Sequence, residues 1–72
     1  MIIQYDDVLD LLYFRIDDIK QEIINKRVSD EMVLDIGENN KIVGIEILDA
    51  SKNINLNKIL PIQQKNILQT AV

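Results

Sequence analysis

The chain has 72 residues, a formal net charge of −4, no cysteine and no histidine. Its length suits one domain over residues 1–72, with a modest core. The two missing residue types exclude disulfides, thiolate or imidazole metal centres, and Ser-His-Asp or Cys-His nucleophilic catalysis. The acidic balance argues against a basic patch for nucleic acid or a membrane surface.

Apolar runs are too short to span a bilayer, and MIIQYDD lacks the basic-then-apolar pattern of a secretory signal. A cytoplasmic location is the resulting expectation. Isoleucine dominates the apolar set, with valine in support, and these β-branched residues lean towards sheet.

In chain order, IIQY at 2–5 is a short strand and DDVLD at 6–10 a turn of acidic residues. LLYFRI at 11–16 alternates, with Leu12, Phe14 and Ile16 facing one way and Leu11, Tyr13 and Arg15 the other. Residues 17–22 connect to a third strand over 23–29, where Ile24 and Val28 share a face. The strongest unit is the hairpin EMVLDIGENNKIVGIEIL. With a type I′ turn at Asn39-Asn40, Glu38 pairs with Lys41, Ile36 with Val43, Leu34 with Ile45, and Met32 with Ile47. The opposite face then pairs Asp35 with Gly44 and Val33 with Glu46. A four-residue loop over 37–40 keeps the same facing.

Asp49 is a candidate N-cap for a helical turn over 49–52, and Pro61 for the start of a helix in PIQQKNILQ. NILQTAV suits a strand equally, and the helix is the chosen reading. The fold expected is α+β: an antiparallel β-meander of four to five strands with a short C-terminal helical segment.

Four blocks stand out: Tyr5-Asp6; Asp10-x-Leu12-Tyr13-Phe14-Arg15; Val33-Leu34-Asp35; and Val43-Gly44-Ile45-Glu46-Ile47-Leu48-Asp49-Ala50-Ser51. Together they resemble the small prokaryotic family known as domain of unknown function 2283. The likeness covers about residues 3–53 and leaves 54–72 as an extension. Asn40 and Glu31 stand where the family often has glycine. The resemblance implies a small antiparallel sheet with a helical element, and no established activity.

Three constellations carry candidate chemistry. Asp6, Asp7 and Asp10 cluster beside one strand end, and Glu46 and Asp49 near another. Their spacing matches no metal signature, and the plainer reading is turn and cap chemistry. If Tyr13 and Arg15 share a face with Glu46 near Gly44, an Arg15–Glu46 pair becomes possible, and the tyrosine could lie over the glycine. That face could bind a small polar ligand or a peptide terminus, against the plainer reading of cross-strand pairing. Leu11, Ile23, Val33 and Leu48 form apolar surplus opposite the main core. A second subunit covering it is the expectation, with a folded-back tail as the alternative.

The leading functional expectation is an acidic interaction module that forms a homodimer or covers a protein partner. One version is an antitoxin-like partner of a basic toxin. The second expectation is a ligand- or metal-binding domain using Asp6, Asp10, Tyr13, Arg15 and Glu46. An enzyme using two carboxylates ranks last. No catalytic residue, cofactor or metal ligand set is assigned, and nucleic acid and membrane are not expected partners.

Overall fold

The computed structural model describes residues 1–59 and the strand at Ile67–Ala71. Six strands form one antiparallel sheet: β1 (Ile2–Asp6), β2 (Leu11–Arg15), β3 (Ile24–Arg27), β4 (Met32–Ile36), β5 (Ile42–Ile47) and β6 (Ile67–Ala71). Two single-turn helices, α1 (Ala50–Asn53) and α2 (Leu56–Ile59), lie between β5 and β6. The spatial order is β3-β4-β5-β2-β1-β6.

The antiparallel sheet and its helical turn agree with expectation, but the order is not that of a simple meander. β2 pairs with β5, so the connection from β2 to β3 passes over two strands. The pairing follows the side chains. Leu12 stands opposite Ile47 and Phe14 opposite Ile45, so apolar side chains meet across this pair. β3, with Lys26 and Arg27, is left at the edge, where charges discourage further pairing.

The helical segment sits mid-chain rather than at the C-terminus. Of the helix expected in PIQQKNILQ, residues 61–66 lie outside the described residues. Ile67–Ala71 is a strand paired with β1, so the helical reading fails there. No strong period marks this last segment, and its partner β1 is far away in sequence.

The β4–β5 hairpin has the predicted register from Met32–Ile47 to Asp35–Gly44. Asn39 and Asn40 both have positive φ, as a type I′ turn requires. Beyond Asp35 the register slips, and Ile36 faces Ile42 instead of Val43. Val43 is thus an extra residue on β5. Its carbonyl accepts the amides of Ile16 and Asp17 at 2.9 and 3.1 Å, which ties the end of β2 to the irregularity.

The sheet has two unlike faces. The inner face carries the core of Ile3, Leu12, Ile47 and Ala50, flanked by Tyr5, Phe14, Ile45, Ile54 and Leu56. Leu12 is completely buried. The helical turns cover the β1, β2 and β5 part of this face. The β3–β4 part is left bare: Ile24 is 71% exposed, and Met32 is also exposed. The other face is polar, and the candidate site lies on it.

Candidate functional site

Strand pairing lays the outer face out as a grid. One row runs Gln4, Tyr13, Glu46, Val33 across β1, β2, β5 and β4. The next runs Ile2, Arg15, Gly44, Asp35, Asn25 and reaches β3. Gly44 leaves a gap in this second row. Tyr13 leans through it, and its hydroxyl donates to Asp35 Oδ2 at 2.9 Å. A Cβ on Gly44 would lie 2.9 Å from Tyr13 Cζ, closer than packed carbons approach. The glycine is required by a neighbouring side chain rather than by its own backbone, since its φ is not positive.

Asp35 is 5% exposed and also accepts a hydrogen bond from Asn25 Nδ2 at 2.6 Å. Glu46 lies diagonally beside it on the next strand. Burial first, and then the Asp35 carboxyl, hold the Glu46 carboxyl above the usual carboxylate range. Burial and the hydrogen bond to Asp35 likewise raise Tyr13, with Arg15 pulling the other way. The Arg15 guanidinium lies 5.7 Å from the centroid of the Tyr13 ring. Gln4, Asp6, Leu11, Tyr13, Arg15, Asp35 and Glu46 line an open cavity of about 340 Å³.

Of the five candidate residues, four therefore line one cavity: Asp6, Tyr13, Arg15 and Glu46. Asp10 does not join them. Its Oδ1 accepts the Tyr5 hydroxyl at 2.8 Å and the Ser51 amide at 3.0 Å, and its Oδ2 accepts the Ser51 hydroxyl at 2.7 Å. Its carbonyl takes the Ala50 amide at 2.9 Å. Asp10 thus caps α1 from a distant part of the chain. Asp49 holds the N-cap position with φ 49° but makes no side-chain cap bond. Asp6 is partly committed to its turn, since Oδ1 accepts the amides of Val8 and Leu9 at 2.9 and 3.1 Å.

Residues 2–51 match the family model described as "Protein of unknown function (DUF2283)". The chain belongs to this family. The match spans β1 to the start of α1, so both the polar-face grid and the Asp10–Ser51 joint lie within the part shared with DUF2283. No curated protein and no solved structure matches the chain.

Sequence reasoning put Tyr13 and Arg15 on one face, made Glu46 their neighbour only as a condition, and missed Asp35 and Asn25; the strand pairing meets the condition, but the Arg15–Glu46 pair is not formed. Asp35 was within reach of that reasoning, because the hairpin register sets that carboxylate opposite Gly44 on the face of Glu46. Asn25 needed the β3–β4 register, for which the sequence has no comparably strong turn. Of the apolar surplus expected opposite the core, Val33 is buried, Leu11 and Leu48 are half-buried, and Ile23 is exposed. Among the described residues, no group of three or more acidic side chains is placed to hold a metal ion. No helix there is long and apolar enough to cross a membrane.

Proposed function

We propose that the protein is an interaction module that self-associates through the uncovered β3–β4 part of its inner face. The observation that carries this is the run of apolar side chains beyond the helical turns. Ile24 stands opposite Ile36, and Leu34 and Met32 follow on β4. Ile24 and Met32 are exposed, while Leu34 and Ile36 are half-buried. Lys26 is the only charge among the inward positions of these two strands.

The occupant proposed is a second copy of the chain. The covered core is small, and small domains gain stability by oligomerising. A two-fold contact would set this strip against itself, burying both copies at once. A partner of unlike sequence would need its own matching apolar strip.

Sedimentation velocity of the full chain tests this. The expected result is a dimer that Ile24→Lys converts to a monomer while the circular dichroism spectrum is unchanged. Ile24 is so exposed in the single chain that its replacement leaves the core intact. A wild-type protein that stays monomeric across concentrations overturns the proposal, as does an Ile24→Lys variant that remains dimeric.

A further inference from the structure

We infer that the polar-face cavity is a binding site for a compact zwitterion of the free amino-acid type, its carboxylate on Arg15 and its ammonium on Glu46. This goes beyond the self-association reading and uses the opposite face of the sheet.

Two opposite charges share this cavity without meeting. Arg15 and Glu46 are diagonal neighbours on β2 and β5, since Arg15 pairs with Gly44 and Tyr13 with Glu46. Diagonal positions across paired strands lie about 7 Å apart at the Cβ atoms. That is within reach of direct pairing for two long side chains. Yet the guanidinium lies over the Tyr13 ring, and among the described residues Arg15 has no carboxylate partner. Glu46 is turned towards Asp35, a neighbour of its own sign, which is an unfavourable place for a second negative charge. A guest ammonium would relieve that repulsion, and a guest carboxylate would give Arg15 its forked partner.

The rest of the lining limits the guest. Tyr13 is held by Asp35, and Asn25 fixes Asp35 from behind. Tyr13 and Asp35 line the cavity in these hydrogen-bonded positions. Leu11 offers a short apolar wall, and Gln4 and Asp6 close the β1 side. A volume of about 340 Å³ is at the lower end of small-ligand sites. A guest with only one charge would leave either Arg15 or the carboxyl pair uncompensated.

The test uses the ¹⁵N-labelled full chain and three four-carbon probes: 4-aminobutanoate, butylamine and butanoate. Saturable amide shifts at Tyr13, Arg15 and Glu46 are expected with 4-aminobutanoate, with about tenfold weaker binding of the two singly charged probes. Arg15→Gln and Glu46→Gln should each weaken 4-aminobutanoate by at least about tenfold while the spectrum stays dispersed. The inference is overturned if 4-aminobutanoate causes no saturable shift at those residues. It is equally overturned if butylamine or butanoate binds as tightly, because one of the two charges would then be idle. The probe comparison needs only the wild-type chain, so it decides the matter even if a variant misfolds.

Discussion

Two tyrosine–aspartate pairs sit on opposite faces of the sheet, and they are built for different ends. On the inner side Tyr5 donates to Asp10 at 2.8 Å; on the outer side Tyr13 donates to Asp35 at 2.9 Å. The Asp10 carboxylate is surrounded by donors, with Ser51 supplying both amide and hydroxyl. The Asp35 carboxylate has donors too, but Glu46 presses a second carboxyl against it. Hydrogen bonds from Ser51 and Tyr5 outweigh the effect of burial and hold Asp10 below its ordinary range. Glu46 is pushed the other way. A satisfied carboxylate joins elements together, whereas a crowded one stores repulsion that a ligand could relieve.

The largest effect should come from breaking the satisfied pair. Asp10→Ala removes the only side-chain cap of α1 among the described residues and leaves the Tyr5 hydroxyl without its acceptor. A loss of about 2–3 kcal/mol is expected in urea unfolding. Tyr5, raised to about 12 by burial and by its bond to Asp10, should titrate closer to 10 in the variant. An unchanged Tyr5 titration in a folded variant would show that Asp10 does not hold it.

A smaller loss is expected at the outer pair. Gly44→Ala places a methyl against the Tyr13 ring and forces the tyrosine out of the gap. Overpacking of this kind costs about 1–3 kcal/mol, and the low end is expected here because the face is open. Tyr13→Leu should remove most of the penalty in the double variant, since the shorter side chain does not cross Gly44. Additive losses in the two variants would mean that Tyr13 is not what requires the glycine.

The two regions also differ in how much of them the sequence revealed. The outer face was largely legible because the β4–β5 hairpin is local. Its alternation and its Asn-Asn turn fix the register, and the register puts Asp35, Gly44 and Glu46 on one side. The β2–β5 pairing is not local, so the lean of Tyr13 onto Asp35 could be suspected only as a tyrosine over a glycine. The Asp10–Ser51 joint spans 41 residues and has no periodic signal. Its carboxylate looked like one more turn former beside Asp6, which does play that part. The edge order failed for the same reason. Strand alternation says which side chains share a face, but not which distant strand lies next door.

The smallest and most discriminating effect concerns pH. Asp10 has a lowered folded value, so its contribution to stability is complete above its unfolded value near 3.8 and fades as pH falls through the lower folded value. Glu46 has the opposite sign. Its carboxyl binds the proton more tightly in the folded chain, so its contribution is present below the unfolded value near 4.5 and is lost as pH rises through the raised folded value. The groups lining the cavity with it are Asp35 on β4, Tyr13 and Arg15 on β2, and Asp6 on β1; burial first, and then Asp35, raise it. Glu46→Gln should therefore leave stability at low pH nearly unchanged and raise it at neutral pH. The gain expected is less than about 1 kcal/mol, the scale of a like-charge cross-strand contact. Thermal melts of wild type and variant from acid to neutral pH would show two curves that separate as Glu46 ionises. Parallel curves would place the Glu46 carboxylate away from Asp35 and remove the strain from the outer face.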